Sequence, residues 1–186
     1  MFREAGLLWL DPVAYSKKSL TPSPSVSPFG DPVNGALLAS SELLKPDGTI
    51  VLQAIVMPDR RYAQYLKSVD FIQRYLFPGG CLPSMSAMLE SMSRVTDLRF
   101  VHAEDFGTHY AQTLREWRQR FHQRLEDVRD LGFSERFIRM WNYYLSYCEA
   151  AFDERFTGVV QIQFDKPRCQ RDPIEIGTRA AASRSA

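Results

Sequence analysis

TIVLQAIVM, residues 49–57, decides how this chain reads as a fold. The run is almost continuously apolar and rich in β-branched side chains. Such a run reads as a strand buried on both faces, the kind found inside a parallel sheet. Just before it, GALLASSELL (35–44) has helical spacing and stops at Lys45-Pro46-Asp47-Gly48, a turn. After it, two helical stretches are expected over about 60–77 and 84–95. They are separated by Phe77-Pro78-Gly79-Gly80-Cys81-Leu82-Pro83.

Further out, LRFVHAEDF (98–106) is a second strand candidate. A long helix is expected over about 107–130, and another from Ser134, an N-cap, to about Arg155. In TGVVQIQFDKP (157–167), Val160, Ile162 and Phe164 alternate with Gln161 and Gln163, which suggests a strand with one wetter face, nearer a sheet edge. The order α-β-αα-β-αα-β looks like the second half of a doubly wound α/β domain.

Composition bounds the function classes. The chain has 186 residues, 45% hydrophobic and 24% charged, as an ordinary soluble globular domain does. A formal net charge of +1 argues against a nucleic-acid binder. Cys81, Cys148 and Cys169 form no CxxC pair and no even set, so they read as free thiols in a reducing compartment. No apolar run approaches the roughly 20 residues of a membrane span, and Leu7-Leu8-Trp9-Leu10 is too short for a signal-peptide core. Residues 1–35, with alternating serine and proline, are expected to be disordered. Residues 36–167 are expected to be the ordered domain, and residues 168–186 a flexible tail.

Tyr144, Cys148 and Phe152 fall at i, i+4 and i+8 on one helix face, with Tyr110 and Leu114 similarly stacked on the preceding helix. That stripe is either ordinary core or the wall of an apolar pocket, and spacing does not separate the two. His102, His109 and His122 lack metal-ligand spacing, and no metal site is expected. The chain has no GxSxG elbow, P-loop or glycine-rich dinucleotide loop. The carboxylates of REWRQRFHQRLEDVRD (115–130) read as solvated ion pairs.

Four blocks then carry a resemblance. DFIQRYLFPGGCLPS (70–84), EDFGTHYAQTLREWRQRF (104–121), LGFSERFIRMWNYYLSYCEAAF (131–152) and VVQIQF (159–164) occur in order and at similar spacing. The chain over about 37–165 resembles the C-terminal half of the cyclopropane-fatty-acyl-phospholipid synthases, which include the mycolic acid cyclopropane synthases. ELLKPDGTIVLQAIVM (42–57) resembles the helix-turn-strand before those blocks.

The resemblance implies an α/β fold: the C-terminal part of a class I S-adenosylmethionine-dependent methyltransferase (Rossmann-like), with helical insertions forming a lipid pocket. It implies methyl transfer to the double bond of unsaturated acyl chains of phospholipids, ending in a cyclopropane ring or a methyl branch. The cofactors it implies are S-adenosylmethionine and a bicarbonate ion. Carried over by position, Tyr110, Gln53 and Ile55 fall at the bicarbonate site. Many family members have a histidine where Gln53 stands. Phe77, Leu82, Leu114, Tyr144, Cys148 and Phe152, together with Tyr110, match positions lining the acyl pocket.

The family's glycine-rich loop, its ribose-holding acid, an active-site cysteine and a bicarbonate-binding glutamate lie upstream of the matched region. No cofactor-binding residue is therefore assigned in this chain, which reads as a truncated form. The alternative is a non-catalytic acyl-chain-binding remnant or the partner of a full-length homologue. A third reading is a chain with no stable fold, since half a doubly wound sheet exposes strand edges. The implied partners are unsaturated phospholipid acyl chains and no nucleic acid, with self-association left open. The implied location is cytoplasmic, with peripheral contact at a membrane surface left open.

Overall fold

A computed structural model describes residues 31–170. The order is α1 (Asp31–Glu42), β1 (Thr49–Val56), α2 (Asp59–Tyr65), α3 (Phe71–Tyr75), α4 (Met85–Val95), β2 (Arg99–Asp105), α5 (Gly107–Gln123), α6 (Leu125–Asp130), α7 (Glu135–Asp153) and β3 (Gly158–Asp165). The expected disordered segment lies outside the described residues up to residue 30, and α1 begins at Asp31 rather than near Gly35. Most of the expected C-terminal tail also lies outside. Of its described part, Cys169 is buried and its thiol sits 3.4 Å from Thr49 Oγ1.

The sheet corrects two expectations. Its strand order is β1-β3-β2, and β3 pairs antiparallel with both neighbours. Among the described residues β1 therefore has no parallel partner beside it. It lies parallel to β2 with β3 running the opposite way between them. β3, expected near an edge, is the central strand.

Glutamines in β3 were the misleading signal. Gln163 is fully buried and donates to Asp165 Oδ1 at 3.2 Å, while Gln161 donates across to Gln53 Oε1 at 3.0 Å. Their amides are satisfied by protein, so polarity here does not mean water. Asp165 also accepts from Thr49 Oγ1 at 2.8 Å, which stitches the far end of β1 to β3.

Each sheet face has its own cover. Ile50, Leu52 and Val56 of β1, with Ile162 and Phe164 of β3, pack on α1 and α4, where Met92 is the most buried contributor. Opposite, Val159 packs against Ala111 and Leu114 of α5 and Leu145 and Phe152 of α7. A clasp of charges binds those two helices outside the core: Arg115 and Arg118 both reach Glu149, at 2.8 and 3.0 Å, and Arg115 also reaches Asp153 at 3.1 Å. The ion pairs expected along 115–130 thus partly join two helices rather than decorate one. α5 starts tightly after β2 because Gly107 has no side chain: a Cβ there would stand 3.2 Å from Gly158 Cα.

Two expected helices are each two. Residues 60–77 break after Tyr65 and restart at Phe71, and residues 107–130 break at Arg124. The first restart is driven by a capping box, in which Asp70 accepts from Gln73 N while Gln73 Oε1 accepts from Asp70 N. Ser134 caps α7 as read, accepting from Phe137 N.

Candidate acyl-chain site

The Phe77–Pro83 turn is held over the end of β1 at three points. Gln73, carried on α3 and buried, donates Nε2 to Gly80 O at 2.8 Å and to the Tyr65 hydroxyl at 3.0 Å. That hydroxyl also accepts from Leu82 N at 3.0 Å. Met57 N, one residue past β1, donates to Pro83 O at 2.8 Å. The turn itself closes with Gly80 N donating to Phe77 O at 2.9 Å, and it needs Gly79, whose φ of 83° lies in the left-handed region. A short sequence of turn residues is thereby fixed as one wall of a cavity.

α7 supplies the facing wall. Tyr144, Tyr147, Cys148, Ala151 and Phe152 look across at Phe77, Leu82 and Cys81, with Ile55 and Met57 as the floor. The enclosed space is about 170 Å³. An apolar cavity of about 150 Å³ already stays dry and accepts a benzene-sized guest, so this one has room for a segment of a hydrocarbon chain. Phe77 meets Tyr144 edge to face at 6.3 Å.

Two phenols and a thiol in the wall are held in their protonated form. Burial raises Tyr65 and Tyr144 above the ordinary phenol value. Burial likewise pushes the Cys148 thiol up to about 12, against a smaller opposing hydrogen bond from Tyr144. One carboxylate lines the cavity, that of Asp70, and it is engaged as the α3 cap.

S-adenosylmethionine does not fit this wall. A sulfonium with a carboxylate, ribose and adenine calls for charged and hydrogen-bonding partners, whereas the wall offers aromatic and aliphatic surface with its one acid already committed. Among the described residues no group of three or more His, Cys, Asp or Glu could hold a metal ion.

Of the residues singled out from the sequence, Ile55, Phe77, Leu82, Tyr144, Cys148 and Phe152 line one cavity. Tyr110 and Leu114 stand behind that wall. Tyr110 packs on Phe152 at 5.0 Å, and Leu114 is buried in the α5–α7 core. Gln53 sits on β1 with its amide oxygen taken by Gln161. Sequence reading missed Gln73, Tyr65, Met57, Tyr147 and Phe156. Gln73 had a signal, since Asp70-x-x-Gln73 is a capping-box spacing. Tyr65 and Met57 had none, because their contacts reach residues 17 and 26 positions away.

A family model and the curated relatives point to one family. A family model described as mycolic acid cyclopropane synthetase matches residues 37–162. Tuberculostearic acid methyltransferase UfaA1 of Mycobacterium tuberculosis is 44% identical over 123 residues, covering 66% of this chain and 29% of that protein. The cyclopropane-fatty-acyl-phospholipid synthase of Escherichia coli is 34% identical over 140 residues, covering 74% of this chain and 33% of that one.

Among solved structures, mycolic acid cyclopropane synthase CmaA1, complexed with SAH and CTAB, superposes with TM-score 0.62 at 26% identity, over 72% of this chain and 49% of that one. The cyclopropane synthase MmaA2 of Mycobacterium tuberculosis gives 0.64 at 23%, over 73% and 50%. The chain thus spans about a third of the length of these curated relatives. Its three strands and their helices carry the α/β fold of part of an S-adenosylmethionine-dependent methyltransferase.

Proposed function

Because the chain belongs to the mycolic acid cyclopropane synthetase family, we propose that its cavity receives a segment of an unsaturated fatty acyl chain of a phospholipid. The reaction it serves is methylation of the chain's double bond by S-adenosylmethionine, ending in a cyclopropane ring or a methyl branch. The observation that carries this reading is that six residues matched by the resemblance line one largely apolar cavity.

The described residues hold the chain rather than the cofactor. Their contribution is to exclude water and to turn π faces inward. Phe77, Tyr144 and Phe152 offer electron-rich ring faces to any positive charge that develops on the acyl chain. A wall of mostly apolar side chains would slow quenching of such a charge by water. Raised phenol and thiol values keep Tyr144 and Cys148 protonated at neutral pH, so neither competes as an anion. The cofactor site would come from a further half of the enzyme, on a longer chain or a partner chain.

The same reading includes a bicarbonate ion beside this wall. Tyr110 packs on Phe152, and Ile55 packs on the same cluster. Gln53 lies two residues along β1 from Ile55, on the same side of the strand. The phenol of Tyr110 and the amide of Gln53 would be its neutral donors, together with the Ile55 backbone. Bicarbonate bound there would supply a base.

The test is a titration of the full chain with monomeric oleate, followed by fluorescence of Trp141, whose ring lies 5.0 Å from that of Tyr144. Saturable quenching is expected, weakened in Cys148→Phe, which fills the cavity without adding a fluorophore. A Trp141 signal unmoved by oleate removes the acyl reading. Incubation with labelled S-adenosylmethionine and unsaturated phospholipid separates the alternative of an acyl-binding remnant. The chain alone is expected to transfer no label, and label in the lipid would show that it needs no second half. In a complete enzyme Tyr110→Phe is expected to lower turnover sharply, and unchanged turnover would take Tyr110 out of the site. Among the described residues no helix is long and apolar enough to cross a membrane.

A further inference from the structure

We propose that the face surrounding the cavity mouth docks on an anionic phospholipid bilayer, with Tyr75 and Tyr143 as its aromatic anchors and Lys67 and Arg74 as its cations. This rests on the acyl-chain reading of the cavity and identifies the surface through which the chain enters.

Large apolar side chains are exposed where a soluble surface would ordinarily hide them. Val69 is 66% exposed, Tyr75 56%, Tyr143 52% and Phe77 44%. They are not scattered. Phe71 joins two of them, lying 5.5 Å from Tyr75 and 4.7 Å from Tyr143, and Phe77 packs on Tyr144, next along α7. Tyr147, which lines the cavity, lies 6.0 Å from Tyr143 and 6.2 Å from Phe71, so the patch and the mouth are continuous.

Cations are placed among these rings. Arg74 lies 5.8 Å from the Tyr75 ring centre, and Arg61 sits 4.4 Å over Phe156, another lining residue. Lys67 is exposed beside Val69. None of the three bases forms a salt bridge among the described residues. Asp70 and Asp59 accept from backbone N–H groups and, among the described residues, form no salt bridge with these bases.

Exposed tyrosines with an apolar body and a polar tip, ringed by basic side chains, match the depth and charge of a bilayer headgroup layer. The cavity supplies the second reason. At about 170 Å³ it holds only part of an acyl chain, so the rest of the lipid must stay in something apolar while the segment is bound. A bilayer pressed against the mouth provides that without lifting the lipid into water.

The test is flotation of the full chain with phosphatidylcholine vesicles, with and without phosphatidylglycerol. The chain is expected to float with the anionic vesicles. Tyr75→Ser with Tyr143→Ser, and separately Lys67→Glu with Arg74→Glu, are each expected to weaken partitioning about tenfold. Leu131→Ser, in the α6–α7 turn at 76% exposure, is expected to change nothing. Oleate binding in solution is expected to survive in every variant.

Should circular dichroism show the tyrosine pair unfolded, the charge pair at exposed positions decides the matter. A wild-type chain that ignores anionic vesicles, or variants that float like wild type, would overturn the inference. So would a dimer that Tyr75→Ser with Tyr143→Ser converts to monomer, for the face would then join two copies. Vesicle binding without oleate binding would instead remove the cavity reading and leave the docking face standing.

Discussion

Gln73 is the residue whose loss should be felt both in stability and at the site. Its side chain makes three hydrogen bonds at once, to Gly80 O at 2.8 Å, to the Tyr65 hydroxyl at 3.0 Å and from Asp70 N at 3.1 Å. Gln73→Ala removes all three, and Gly80, itself buried, loses that donor to its carbonyl. A net bond is worth about 1 kcal/mol, and a buried group stripped of its partner costs about 1–3 kcal/mol. The stripped Gly80 carbonyl and the two other bonds at their net value come to a loss of about 3–5 kcal/mol, a large fraction of the roughly 5–15 kcal/mol that holds a domain folded.

Read by urea denaturation with a slope of about 2 kcal/mol/M, the midpoint should fall by about 1.5–2.5 M. Oleate affinity should fall too, because the Phe77–Pro83 turn would be held at two points rather than three. Gln73→Glu keeps the acceptor for Asp70 N but no longer offers the amide donors, so it should recover only the smaller part of the loss. A midpoint within experimental error of wild type for Gln73→Ala would refute the reasoning, since the turn would then be held by packing alone.

Phe152→Ala should cost about 3–5 kcal/mol, because Phe152 is buried in the α5–α7 core and also faces the cavity; thermal or urea unfolding measures it. Gly79→Ala should destabilise by about 1 kcal/mol and loosen oleate binding, as the turn needs a φ of 83° that alanine resists. Cys148 should make stability fall at alkaline pH. The unfolded chain releases its proton near the ordinary value of 9.0 and the folded chain only near 12, so between them the folded state binds more protons and stability declines as pH rises. Stability curves from pH 8 to 12 should decline less steeply for Cys148→Ala than for wild type.

Much of the element order was legible because apolar periodicity and turn residues are local properties. Strand direction was not. TIVLQAIVM is buried as its composition says, yet burial on both faces does not encode which way a neighbour runs, and β3 arrives antiparallel. Gln161 and Gln163 misled for a related reason. Alternation reports polarity, and polarity was taken to mean water, whereas Gln163 turns to Asp165 and Gln161 to Gln53. A strand that carries its own hydrogen-bond partners can sit in the middle of a sheet.

The site shows the same division between local and distant information. Helical spacing on α7 put Tyr144, Cys148 and Phe152 on one face, and that face is the cavity's wall. What spacing could not say is whether anything stands opposite at the right distance. That depends on Tyr65 reaching Leu82 and on Met57 reaching Pro83, contacts made only once the chain has folded back. Tyr110 marks the boundary. Similar stacking on α5 placed it with the wall residues, but in the fold it buttresses Phe152 from behind. A stripe on one helix becomes a binding surface only where a second element is held off from it. In this chain the Pro-Gly-Gly turn, pinned by Gln73, does the holding.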